Sequence, residues 1–200
     1  AARAVGIETG AIRRGVADLQ AVPGRLERVG RDGDPHVFVD YAHTDDALTK
    51  VLENLKPLKS GRILTVFGCG GDRDRGKRPL MGAAAVAGSD LVVLTSDNPR
   101  SEDPLAILAE VEQGIRQKGA RRVDPAELGA VPSDRAYAVI PDRRSAIETA
   151  IGLASADDMV LLAGKGHEDY QIVGERRIWF DDRVVAAAAL EQRRIREAGR

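Results

Sequence analysis

Three runs along the chain are too continuously apolar to leave one side in water: Ile63-Leu64-Thr65-Val66-Phe67, Leu91-Val92-Val93-Leu94-Thr95 and Met159-Val160-Leu161-Leu162-Ala163. Such runs read as strands buried on both faces, the habit of parallel sheets. Further strands are predicted over residues 25–29, 36–39 and 136–140. Between them the spacing turns helical. Leu48, Val51, Leu52 and Leu55 form one stripe of a helix that Thr44 caps and that runs to Leu58. Helices are also predicted over 7–20, with Ile12, Val16 and Leu19 on one face, and over 79–87, 104–118 and 142–154. A last helix starts at Asp181 or Asp182, after a hairpin around Gly174. Residues 119–135 read as a longer, polar, proline-punctuated excursion. Strands alternating with helices of this length predict a doubly wound α/β fold, its mostly parallel sheet followed by a late antiparallel strand or hairpin.

Composition narrows the function classes. The chain has 200 residues and is 43% apolar, enough for one ordinary core. Thirty basic and 31 acidic residues leave a net charge of −1, so no overall field draws in nucleic acid or an anionic membrane, and any anion site must be local. The longest apolar run falls well short of the ~20 residues that span a bilayer, and no signal peptide is visible. A cytoplasmic location is the default expectation. The single cysteine, Cys69, excludes an internal disulfide and any multi-cysteine zinc site; it reads as a buried thiol beside a tight turn. His36, His43 and His167 lack metal-ligand spacing, so no protein-held metal is expected.

The candidate chemistry sits in the loops that follow the three buried runs, where parallel sheets bind ligands. The first loop, Gly68 to Arg78, nearly matches a nucleotide-binding P-loop through Gly71, Gly76 and Lys77. It fails where Arg78 replaces the hydroxyl residue that should ligate Mg²⁺, and Asp72 and Asp74 would repel phosphate. An acid that grips hydroxyls and an arginine that grips a carboxylate fit this loop better. The second loop, Asp97-Asn98-Pro99-Arg100, offers the planar donors of Asn98 and Arg100 to a carboxylate. In the third, Gly164-Lys165-Gly166-His167-Glu168, glycines permit close approach and Glu168 offers a counter-charge for an ammonium. A zwitterionic or phosphorylated ligand is the first expectation.

Taken with Asp40-Tyr41-Ala42-His43-Thr44, these segments occur in the order found in the Mur ligase family, and most resemble its diaminopimelate-adding members. The resemblance covers nearly the whole chain except residues 119–135, which look like an insertion. It implies ATP-driven amide ligation: ATP phosphorylates the D-glutamyl carboxylate of a UDP-N-acetylmuramoyl dipeptide, and the amine of meso-diaminopimelate attacks the acyl phosphate. Mg²⁺ accompanies ATP in that family. Residues 1–24 would be the tail of the central ATP-binding domain and residues 25–200 the C-terminal domain. The P-loop and carbamylated lysine of such an enzyme would then lie outside this chain, which is expected to be inactive alone and to need those missing domains as partners. By match, Arg73, Asn98 and Arg100 would take carboxylates, Glu168 and the Gly164 backbone the distal ammonium, and Asp97 with Pro99 would shape the loop. Arg25, Tyr41, His43 and Asp72 would serve ATP. Relatives usually carry proline where this chain has Asp45, a change of local rigidity only. A lysine-adding or folylpolyglutamate-type ligase, and a non-catalytic nucleotide-binding module, are the alternatives; Arg100 speaks against the first two.

Overall fold

The computed structural model of the chain describes residues 2–18, 22–130 and 135–199. Its centre is a seven-stranded sheet of β1 (Glu27–Val29), β2 (His36–Asp40), β3 (Ile63–Phe67), β4 (Leu91–Leu94), β5 (Arg121–Arg122), β6 (Ala136–Val139) and β7 (Met159–Ala163). The spatial order is β1-β2-β7-β3-β4-β6-β5. All pairings are parallel except β1 with β2. Every residue of β3, β4 and β7 is buried, as their unbroken apolar runs require.

The helices are α1 (Thr9–Ala17), α2 (Asp45–Leu55), α3 (Lys77–Gly88), α4 (Pro104–Gln117), α5 (Arg143–Leu153) and α6 (Asp182–Ala198). One core joins α2, α3 and α4 to one side of the sheet through Leu48, Leu52, Met81, Val86, Leu108 and Ile115. The other joins α5 and α6 to the opposite side through Ile147, Ile151, Val185 and Leu190. Helix α2 starts as the sequence suggests: the Thr44 hydroxyl accepts from the Ala47 N–H at 3.2 Å, and Asp45 and Asp46 occupy the positive first turn. Asp181 caps α6 in the same way, accepting from the Arg183 N–H at 2.9 Å.

Four details differ from the sequence reading. Helix α1 buries none of its residues, so Ile12 and Val16 form no packed face; Leu19 lies outside the described residues. Helix α3 starts two residues early, because Pro79 in its first turn needs no N–H partner. The excursion at 119–135 supplies the edge strand β5 and buries Val123 and Leu128, while 131–134 lie outside the described residues. Antiparallel pairing occurs at both ends of the chain. β1 joins the main sheet early, and β8 (Tyr170–Val173) with β9 (Arg176–Trp179) forms a separate late hairpin.

Candidate functional site

Strands β2, β7, β3 and β4 are consecutive neighbours in the sheet, so the segments leaving their carboxyl ends lie side by side. They enclose a cavity of about 310 Å³. Tyr41 and His43 line it from β2, Gly164 and Glu168 from β7, Cys69 and Arg73 from β3, and Asp97, Asn98 and Arg100 from β4. The third loop, whose Lys165 lies 67 residues from Asn98, thus meets the others because β7 inserts between β2 and β3.

Glycine makes the approach of the first two loops possible. A Cβ on Gly71 would lie 1.9 Å from the Pro99 carbonyl oxygen, and one on Gly68 2.3 Å from that of Thr95. The Gly71 N–H donates to the Asn98 carbonyl at 2.9 Å, and the Arg100 guanidinium donates to the Gly71 carbonyl at 2.7 Å. The hairpin then clamps the second loop. The Arg100 N–H donates to Ile172 O at 3.0 Å, Gly174 N–H to Arg100 O at 2.7 Å, and Gln171 Nε2 to Asp97 O at 2.8 Å.

Of the residues predicted to serve an amino acid, Arg73, Asp97, Asn98, Arg100, Gly164 and Glu168 share the cavity. Pro99 is buried behind it, its carbonyl facing Gly71 and accepting from the Glu102 N–H at 3.1 Å. Asn98 Nδ2 donates to Glu168 Oε2 at 3.1 Å, so a carboxamide and a carboxylate already form one polar wall.

The residues predicted to serve ATP separate. Tyr41 and His43 line the cavity with ring centroids 4.6 Å apart, and the His167 ring lies 5.3 Å from Tyr41. Arg25 stands outside the lining with its guanidinium 4.8 Å over the Tyr41 ring. It is held there by Gly24, where a Cβ would meet His167 N at 2.1 Å. Asp72 also stands outside the lining. Its carboxylate accepts from the Ser101 hydroxyl at 2.6 Å, and its backbone takes a positive φ of 53°.

Three buried cations support the loops, and spacing gave no sign of their partners. Arg78, the residue that breaks the P-loop pattern, pairs with Glu102 at 2.7 Å and Glu110 at 2.8 Å and donates to Gly70 O at 3.3 Å. Hydrogen bonds from Arg78, then from the Asp72 N–H, hold the Glu102 carboxyl down to about 2. Arg143 pairs with Asp182 at 2.6 Å and donates to Ala163 O at 3.1 Å, fixing the end of β7. Lys165 lies fully buried between Asp97 and Asn98. Burial, reinforced by the charge of Asp97, pushes the Cys69 thiol up to about 12, which leaves it a poor nucleophile. Among the described residues no group of three or more His, Cys, Asp or Glu side chains could hold a metal ion. No helix among the described residues is long and apolar enough to cross a membrane.

Comparison with known proteins identifies the family and the fold. Residues 24–166 match the family described as Mur ligase, glutamate ligase domain. The chain is 51% identical over 189 residues to the UDP-N-acetylmuramoyl-L-alanyl-D-glutamate–2,6-diaminopimelate ligase of Geobacter metallireducens, covering 94% of the chain and 37% of that relative. It is also 51% identical over 194 residues to the ligase of the same name from Gloeobacter violaceus, covering 96% and 36%. A solved structure of such a ligase aligns with a TM-score of 0.73 at 44% identity, over 96% of the chain and 36% of its own. A UDP-N-acetylmuramate-alanine ligase from Thermotoga maritima shares the fold alone, with a TM-score of 0.62 at 14% identity, over 100% of this chain and 36% of its own. The chain therefore spans little more than a third of the relatives it matches. With its family match reaching from the Gly24 turn to the third site loop, this chain belongs to the Mur ligase family.

Proposed function

We propose that the chain is the amino-acid-binding domain of an ATP-dependent amide ligase that adds meso-diaminopimelate to UDP-N-acetylmuramoyl-L-alanyl-D-glutamate. Residues 1–24 are the tail of a preceding ATP-binding domain, and the chain alone turns over no substrate. One observation carries the reading: Arg73, Asn98, Arg100 and Glu168 open into a single cavity at the ends of adjacent strands. Two guanidinium groups and an amide suit carboxylates, and the Glu168 carboxylate suits an ammonium. Meso-diaminopimelate presents both at each end.

In this reading the domain's contribution is positional. Arg73, Asn98 and Arg100 hold one end of the amino acid, leaving its other amine free to attack an acyl phosphate formed on the dipeptide. Arg25, Tyr41 and His43 form the nucleotide side, with Asp72 at the ribose. Holding the two reactants in line lowers the barrier as the C–N bond forms, the C–O bond to phosphate breaks, phosphate leaves and the amine gives up a proton.

The test uses the full-length protein that carries this chain, with ATP, the UDP-linked dipeptide and either meso-diaminopimelate or lysine. Phosphate release should favour diaminopimelate by about 10²–10⁴ in kcat/KM, because lysine leaves the cavity's donors for a carboxylate unmatched. Equal use of the two amino acids would reject the reading.

A further inference from the structure

Lys165 is a buried cation behind the Asn98–Glu168 wall of the amino-acid cavity, and the binding scheme above gives it no task. It is fully buried, with Nζ 3.2 Å from Asp97 Oδ1 and 3.7 Å from Glu168 Oε2. It donates to Asn98 Oδ1 at 3.2 Å and lies 5.7 Å from the centre of the Tyr170 ring. The Asp97 contact lacks the alignment of a hydrogen bond and acts through charge; Asp97 Oδ1 has no other partner.

Two consequences follow from this placement. Asn98 Oδ1 accepts from both Lys165 Nζ and the Ile172 N–H, the latter at 3.0 Å. A flipped carboxamide would set its NH₂ group against two donors, so Nδ2 must face Glu168 and the cavity. The second consequence concerns charge. Asp97 and Glu168 both line the cavity, and the nearby buried Arg143 is already paired with Asp182. On this wall Lys165 therefore offsets one of the two carboxylate charges and leaves one to face a ligand.

We propose that Lys165 is a positioning residue of the amino-acid site: it sets the Asn98 amide donor-side outward and offsets one of the two carboxylates on the Asp97–Glu168 wall, so that this wall holds one ammonium group while Arg73 and Arg100 face the carboxylate. The inference rests on the amino-acid-binding reading above. Lys165 does not touch the reacting atoms.

The test compares Lys165→Met and Lys165→Arg in the full-length enzyme, with separate KM values for meso-diaminopimelate and ATP, kcat and the melting temperature. Lys165→Met should raise the diaminopimelate KM at least about tenfold with the ATP KM within about twofold, since truncating a buried charge partner weakens binding at that site. Lys165→Arg, which keeps the charge but not the single small donor, should fall between Met and wild type. An unchanged diaminopimelate KM in Lys165→Met, or equal losses in both KM values, would overturn the assignment. Should Lys165→Met not fold, Lys165→Arg decides: a diaminopimelate KM raised at constant ATP KM supports it, and a wild-type value refutes it. A wild-type enzyme indifferent between diaminopimelate and lysine would instead sink the functional reading, and the same KM split is then measured with the amino acid it uses.

Discussion

Arg100 donates through its guanidinium to the carbonyl oxygen of Gly71 at 2.7 Å, while its own backbone is held at a φ of 51° by the hairpin. One arm of the fork braces the neighbouring loop, and the residue still lines the cavity. Arg100→Ala in the full-length enzyme should therefore raise the diaminopimelate KM by about 10²-fold or more, through loss of a charged donor and loosening of the first loop. Arg100→Lys should recover little, because an ammonium cannot span both tasks. Steady-state kinetics with each variant decides this, and an unaltered KM in Arg100→Ala would remove the residue from the site.

Gly71→Ala should damage the site without removing any polar side chain. The new Cβ meets the Pro99 carbonyl at 1.9 Å, so the two loops must part, at a cost of about 1–3 kcal/mol. Gly15→Ala is the matched control. It lies within α1 with nothing within 4 Å of its Cβ and should be neutral or slightly stabilising. Urea denaturation of both variants tests the contrast.

Asp72 and Ser101 separate a nucleotide role from a structural tie. The Ser101 hydroxyl and N–H reach the Asp72 carboxylate at 2.6 and 3.3 Å. If the carboxylate also meets the ribose, Asp72→Ala should raise the ATP KM about tenfold and Ser101→Ala by less than twofold. Equal effects of the two variants would make Asp72 a loop tie and nothing more.

Cys69 should be slow to react in the folded chain. With its thiol pushed up to about 12 by burial, the thiolate fraction at pH 8 is about 10³-fold below that of an ordinary thiol. Iodoacetamide labelling should accelerate by roughly that factor in denaturant. Cys69 is half-buried in the cavity lining, so rapid labelling of the native chain would contradict the raised thiol rather than its access.

Acid stability should depend on Asp158, just before the amino-terminal end of β7 and so at the end of the sheet away from the cavity. Burial works against its charge, but hydrogen bonds from Arg62 and from the Ser155 and Arg62 N–H groups outweigh it and bring the carboxyl to about 2. Because the folded value lies below the unfolded one near 3.8, its stabilisation is complete above about pH 4 and is lost as pH falls through 2. Asp158→Asn should cost about 2 kcal/mol at pH 7 and flatten the acid limb between pH 4 and 2. Denaturation midpoints across that range provide the measurement.

Much of the fold was legible from local pattern, since a strand buried on both faces must be apolar throughout and a helix must carry a stripe. The runs at 63–67, 91–94 and 159–163 therefore appeared where expected, as did the caps at Thr44 and Asp181. Helix α1 was misleading because periodicity reports a face without saying that anything covers it. The excursion at 119–135 hid its edge strand because a two-residue strand has no period.

By itself the sequence determined which segments line the candidate site: each polar loop is contiguous and sits at the end of a recognisable strand, and donor types and glycine spacing are local properties. Only the tertiary structure decided which of those groups meet. It put β7 between β2 and β3, bringing Glu168 to Asn98 across 70 residues. It turned Arg78 and Lys165, indistinguishable in the string from surface cations, into buried partners of Glu102 and Asp97. It drew Asp72 away to Ser101. The physical reason is that side-chain pairing depends on strand order and loop direction, which are set by packing of the whole sheet rather than by any one segment of it.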